Sequence, residues 1–214
     1  MIKKLPPEYP TGTKKLHVGC GPKNILEDWW NVDIRSFKGI DQVIDVTKPW
    51  PWTNMLDYIY GEHFIEHLHL EDAMAFFIHA GNALRSGGKI RISTPSLEWV
   101  LKSHFSFDNL SKQTQQTFVI NRAFRGWGHQ FLYSKPFLDY LLHSLEYTGI
   151  QFFSYGESDD DAFKNIEKHG GFKIEFGYPN VWIVEATKIQ RINLSMEFID
   201  MAQEQFIKYV KSAH

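Results

Sequence analysis

Three residues of the chain stand at a spacing that metal chemistry uses. His63, Glu66 and His67 read His-x-x-Glu-His, an inverted zincin pattern. On a helix, positions 63 and 67 would share one face and could both ligate zinc. A third ligand is also needed, no downstream glutamate stands out, and a five-residue pattern is easily matched among ten histidines. A zinc hydrolase is therefore carried as an alternative, and no metal is expected. The same histidines suit acid–base work, because imidazole titrates near neutrality. A plainer role is that Glu66 and His67 only cap or brace the following helix. His129, in Gly126-Trp127-Gly128-His129, lies in a loop signal and is a second candidate base.

A different chemistry starts at Gly19-Cys20-Gly21, which follows the short apolar run Leu16-His17-Val18. A strand ending in glycines lets a ligand approach the backbone closely. In open parallel sheets, ligands bind beyond the carboxyl ends of the strands. Asp33 closes the next extended run and can accept both hydroxyls of a ribose. Asp45 closes the third and would sit near a base. A nicotinamide dinucleotide fits less well. Its fingerprint wants three glycines and an acid about 20 residues on, whereas here there are two glycines and Asp33 follows Gly19 by 14 residues.

The elements that must position these residues are legible as short runs of β-branched and aromatic residues ending at Gly, Asp or Ser. They are Leu16–Val18, Trp30–Asp33, Gln42–Asp45, Leu56–Tyr60, Lys89–Ser93, Ile150–Ser154 and Val181–Thr187. Helix periodicity spans Glu71 to Arg85, stopped by Ser86-Gly87-Gly88. Strand and helix in alternation imply a parallel sheet with helices packed on it. The stretch from Gly21 to Trp30 is short for a crossover, so the first helix should be stunted. Residues 96–135 read as an insertion with two short helices. Its aromatics form either a small second core or, with Trp127 and Tyr133, a lid that stacks on a planar substrate or sugar. Pro136 opens a helix running to Tyr147. A short helix ending at Gly170-Gly171 follows the acidic run Asp159–Asp161, which reads as a solvated turn. A terminal amphipathic helix over about 190–212 carries Ile192, Met196, Ile199, Phe206 and Val210 on one face, and could pair two copies as a homodimer.

Composition narrows the classes. With 214 residues the chain reads as one domain. Aromatic residues are 15% and the net charge is −2, which disfavours disorder and gives no electrostatic footprint for nucleic acid. There is no apolar run of about 18 residues for a membrane span. The N-terminal Met-Ile-Lys-Lys lacks the apolar stretch of a signal peptide. The single cysteine, Cys20, forbids an internal disulfide, and a reducing, cytoplasmic compartment is expected.

Leu16-His17-Val18-Gly19-Cys20-Gly21-Pro22 with Trp29-Trp30-Asn31-Val32-Asp33-Ile34 resembles the first motif and ribose acid of class I S-adenosylmethionine-dependent methyltransferases. Tyr58 to Leu68 is similar to their fourth-strand motif, and Leu84 to Ile92 to their helix-to-fifth-strand signature. The strong resemblance covers Lys15 to Pro95, with weaker matches to Lys188. The closest subgroup is the small predicted methyltransferases associated with cell-surface polysaccharide genes, which Gly128-His129-x-x-x-Tyr133 and Tyr155-Gly156-Glu157-Ser158 also resemble.

The resemblance implies a Rossmann-like class I methyltransferase fold. That is an α/β seven-stranded, mostly parallel sheet with helices on both faces, a small helical insertion and an antiparallel last strand. It implies S-adenosyl-L-methionine as cofactor, with a methyl moved to O or N of a small-molecule or saccharide acceptor. Gly19, Cys20 and Gly21 would pass along the methionine part, Asp33 would take the ribose, and Ile34 would cover the adenine face. Asp45 and Val46 would flank the adenine, and Gly61 and Glu62 would lie beside the sulfonium. His63 and His67 would stand at the opening, with His129 lining the acceptor pocket. Two departures stand out. His17 replaces the acid usual two residues before the first glycine and takes its place among the cofactor-binding positions. Pro22-Lys23 replaces the third glycine. A cofactor-binding protein without transferase activity fits the same binding half.

Overall fold

The computed structural model describes residues 14–191 and 193–212. The N-terminal lysines and Ile192, assigned roles above, lie outside the described residues.

Seven strands form the central sheet: β1 (Lys15–Val18), β2 (Trp30–Asp33), β3 (Gln42–Val43), β4 (Leu56–Glu62), β5 (Leu84–Pro95), β6 (Thr148–Phe153) and β9 (Val181–Thr187). Their order is β3-β2-β1-β4-β5-β9-β6. All neighbours are parallel except β9, which runs antiparallel to both β5 and β6. From β1 the chain builds outward one way through β2 and β3, then returns to build the other way through β4 and β5. The loops leaving β1 and β4 therefore diverge, and a crevice opens between their carboxyl ends. A two-stranded ribbon, β7 (Ile174–Glu175) and β8 (Tyr178–Pro179), lies outside the sheet.

The first connection holds no helix at all. Between β1 and β2 there are only turns, and the buried side chain of Asn31 does what a helix backbone would. Its Oδ1 accepts the Leu26 N–H, and its Nδ2 donates to the carbonyls of Leu26 and Trp29. The helix α1 (Leu70–Ala83) buries Ala73, Met74, Phe76, Phe77 and Ala80 against the sheet. It ends two residues before the expected Arg85, because Leu84 already opens β5 and pairs with Leu56 of β4. Ser86-Gly87-Gly88 is thus a bulge within β5, not a helix stop. A side chain at Gly88 would lie 3.0 Å from the Leu56 carbonyl.

Between β5 and β6 lie α2 (Leu97–His104), α3 (Leu110–Arg125) and α4 (Lys135–Ser144). Ser96 caps α2 by accepting the Trp99 N–H. At 16 residues, α3 is longer than expected. The insertion's aromatics divide. Trp99 packs beside a small core of Val100, Ala123 and Leu132, and Phe131 joins the main core. Phe107, Phe118 and Trp127 stay exposed. The helix α4 stops at Ser144, short of the expected Tyr147, because Glu146 turns left-handed (φ 62°) and Tyr147 enters the core.

The segment after Asp159–Asp161 forms only a single 3-10 turn, Asp161–Phe163, with no helix up to Gly170. Tertiary hydrogen bonds, described below, hold it instead. The tail forms α5 (Met196–Ala202), a π-turn and α6 (Lys208–Ser212), but with a shifted face. Phe198, Ala202 and Ile207 are buried, Ile199 and Phe206 of the expected face are partly buried against the core, and Met196 is 67% exposed. Phe198 packs on Phe137 and Tyr140 of α4, and Phe206 on Phe131, so this face is spent on its own chain.

Candidate functional site

The turn after β1 needs its glycines for two separate reasons. Gly19 and Gly21 are both left-handed, at φ 60° and 59°, a region that costs L-residues energy. A Cβ on Gly19 would come within 2.4 Å of Phe64 Cδ2, so that ring seals one side of the turn. A Cβ on Gly21 would meet nothing within 4 Å, so there the backbone fronts open space. Cys20 between them is buried, and burial pushes its thiol up to about 12. A thiol held protonated in this way is no nucleophile.

Asp33 is joined to this turn. Its Oδ2 accepts the Gly21 N–H at 3.0 Å, and its Oδ1 accepts from Arg35 N at 2.9 Å and Arg35 Nε at 3.1 Å. Burial works to raise this carboxyl. The hydrogen bonds from Arg35 and Gly21 outweigh it and hold the group below the usual carboxylate range. Asp45 is lowered by its hydrogen bonds from Thr47, Oγ1 at 2.7 Å and N at 3.0 Å. Asp33, Asp45, Val46 and the exposed Ile34 line a cavity of about 620 Å³.

A second cavity, about 580 Å³, opens on the other side of the turn. Gly19, His63, His67 and Trp127 line both cavities, so the two meet there. His63 follows β4 with a left-handed backbone (φ 46°), uncommon for a side chain of its size. That turn aims its Nδ1 at the buried carboxylate of Glu66, 3.1 Å from Oε1. Glu66 Oε2 accepts from Thr94 Oγ1 at 3.1 Å. A carboxylate only accepts, so Nδ1 of His63 is the donor, and Nε2 is the lone pair of the neutral ring. This is the orienter–base geometry of proton-transfer sites.

His67 lies on the exposed end of a 3-10 turn, Ile65–His67, so the one-helix face that a zincin needs does not form. Across from it stands His129, with ring centroids 5.2 Å apart. The backbone of Glu66 braces the His129 loop rather than the following helix: its carbonyl accepts the N–H groups of Gln130 (2.7 Å) and Phe131 (3.3 Å).

Not every expected residue reaches the crevice. His17 lines neither cavity. It is buried against Tyr60, bonded to Asn31 Oδ1 at 3.2 Å, and burial pushes it down to about 4. Gly61 lines neither. A Cβ there would sit 3.1 Å from Val18 and 3.2 Å from Ile92, so its glycine serves strand packing. Glu62 lines the second cavity, yet its carboxylate is taken up by the N–H of Lys168 (3.1 and 3.0 Å) and of His169 (2.9 Å). This clamp carries His169 onto His63, with ring centroids 4.2 Å apart. A buried triad holds the same segment: Arg91 pairs with Glu185 on β9 and with Glu167 at 2.6 Å.

Sequence reasoning did not single out His169, Glu167, His104 or Phe172, all of which line the second cavity. Only the loop signal Gly170-Gly171 marked the neighbourhood. Ser93 lines it too, and its buried Oγ has no hydrogen-bond partner among the described residues. Buried hydroxyls without partners mark places where a ligand or water completes the bonding.

No protein-family model matches the chain, and no curated protein matches it either. Solved structures do. A SAM-dependent methyltransferase from Archaeoglobus fulgidus superposes with a TM-score of 0.54 at 16% identity, covering 83% of this chain and 87% of that one. A SAM-dependent methyltransferase from Thermotoga maritima, described as a possible histamine N-methyltransferase, gives 0.53 at 12% identity, covering 83% and 82%. The chain has the Rossmann-like methyltransferase fold of class I, as the strand order and the antiparallel β9 require.

Proposed function

We propose that the chain is an S-adenosyl-L-methionine-dependent methyltransferase acting on a hydroxyl or amine of a small, saccharide-type acceptor. The observation that carries this is the junction of two cavities at Gly19 and His63, one edged by acids and the other by an oriented imidazole. The residues fit the cofactor. Gly21 offers open backbone, Asp33 is an ionised acceptor for two hydroxyls, and Ile34 is an exposed apolar side chain for a purine face. Arg35 now occupies Asp33 Oδ1, but its side chain is 68% exposed and can swing away. When bound, the cofactor supplies an electrophilic methyl on a sulfonium.

On the other side of the junction, His63 Nε2 would take the acceptor's proton while Glu66 steadies the imidazolium that forms. His129 lines the same acceptor space. Trp99, Trp127, Tyr155 and Phe172 give that cavity flat apolar walls of the kind that stack on sugars or planar rings. The walls and the crevice together would hold donor and acceptor in a near-attack pose. The resemblance to the polysaccharide-associated subgroup favours a saccharide acceptor. Release of S-adenosylhomocysteine, measured with a panel of sugars, phenols and amines, tests the reading. Turnover with a hydroxylated acceptor supports it, and binding of the cofactor without turnover on any panel member counts against it.

A further inference from the structure

Glu66, His67 and His129 each offer a ligand atom, and these atoms lie within 4.8 Å of one another. We propose that they form a site for a divalent transition-metal ion at the acceptor side of the crevice. The geometry is built from below. The Glu66 carbonyl ties the loop of residues 129–131 to the turn that carries His67, so two segments distant in sequence are held together by backbone. His129 Nδ1 lies 2.9 Å from the Ala123 carbonyl. A carbonyl cannot donate, so Nδ1 holds a proton, and Nε2 of the neutral ring is left as the lone pair for an ion. That is the tautomer and outer-shell bond that metal-ligating histidines use. The Glu66 carboxylate is likewise fixed, by His63 and Thr94.

Two imidazoles and one carboxylate form a donor set that suits zinc and its first-row neighbours. Three protein ligands leave a coordination position open, and the cavity beside them can fill it. The pattern His63-x-x-Glu66-His67 is thus used differently from its zincin reading. His63 stays outside the donor set, and His129 completes it from another loop. If the methyltransferase reading holds, the open position suits an acceptor oxygen, whose proton a bound cation would loosen. Ion binding itself does not depend on that reading.

The test is a cobalt titration of the full chain, first stripped with a chelator, near neutral pH, followed by visible absorption and calorimetry. The expected result is binding of one equivalent with the absorption of a four- or five-coordinate ion, displaced by zinc. His67→Ala and His129→Ala should each weaken it by at least the roughly 10–100-fold that loss of an outer-shell partner costs, while keeping the wild-type melting temperature. His104→Ala, in the same cavity but outside the cluster, should bind as wild type does. Absence of a one-equivalent phase, or binding that survives both His67→Ala and His129→Ala, overturns the proposal. S-adenosylhomocysteine is titrated into the same samples. Cobalt binding without nucleoside binding would sink the methyltransferase reading alone, and the reverse would sink the metal site alone.

Discussion

The N–H of Gly21 donates to Oδ2 of Asp33 at 3.0 Å, which makes the turn after β1 and the acid after β2 one unit. The other carboxylate oxygen is held by Arg35, an exposed side chain. Arg35 therefore competes with a ribose for Oδ1, and exposed ion pairs of this kind are worth about 0.2–1 kcal/mol. Arg35→Ala is expected to tighten S-adenosylhomocysteine binding, within about fivefold on that scale. Calorimetry reads this directly, and a tenfold loss of affinity would show Arg35 to be a binding group.

Gly19→Ala meets two obstacles, the left-handed backbone and the Phe64 ring. The variant should lose about 1–3 kcal/mol in urea unfolding, as overpacked sites do. Pairing it with Phe64→Ala should relieve the steric part only. If the single variant is as stable as wild type, the sealing of the turn by Phe64 is wrong.

The Arg91 triad should show the penalty of a broken buried pair. Arg91→Met leaves the buried Glu167 and Glu185 without the cation they share, at a cost of about 3–5 kcal/mol. Because Glu167 also accepts the Gly156 N–H, the acceptor cavity should loosen as well, which hydrogen exchange at residues 156 and 167–169 would register. A change under about 1 kcal/mol would contradict this.

His17 gives a pH signature. Its folded value near 4 lies below the ordinary 6.5, so between these values the unfolded chain binds the extra proton. Stability contributed by the neutral ring is full above about 6.5 and is lost as pH falls toward 4, about 3 kcal/mol in all. Melting temperature against pH should therefore fall less steeply in His17→Phe than in wild type. Parallel curves would remove His17 from the acid sensitivity.

His63→Ala should cut turnover by about 10²–10⁴-fold, the usual worth of a positioned base. Its affinity for S-adenosylhomocysteine should hold. His129→Ala should also slow turnover with cofactor affinity intact. An unchanged rate in either variant removes that residue from the mechanism.

The turn and acid that edge the first cavity were legible in the sequence because their parts are local. A glycine turn and a strand-ending acid need only a few residues each, and β2 and β9 occupy the expected positions to the residue. The lining of the second cavity was not legible. His169 reaches His63 only through the Glu62 clamp, 106 and 107 residues away in sequence, and no local pattern announces such a contact. The expected helix before Gly170 does not form for a related reason: the N–H groups of Lys168 and His169 go to the distant Glu62 carboxylate. Ser86–Gly88 was misread because a glycine pair that stops a helix also fits a bulge, and only the pairing of Leu84 with Leu56 separates the two. His17 was carried over by its position in a motif, yet the strand turns its side chain beneath the sheet.

Calorimetric titration with S-adenosylhomocysteine reads most directly what the crevice between β1 and β4 binds. Wild-type protein should bind one equivalent, Asp33→Ala should lose at least about tenfold in affinity while remaining folded, and a nicotinamide dinucleotide should give no heat. A folded wild type that binds no S-adenosylhomocysteine, or an Asp33→Ala variant that binds it equally well, would contradict the account.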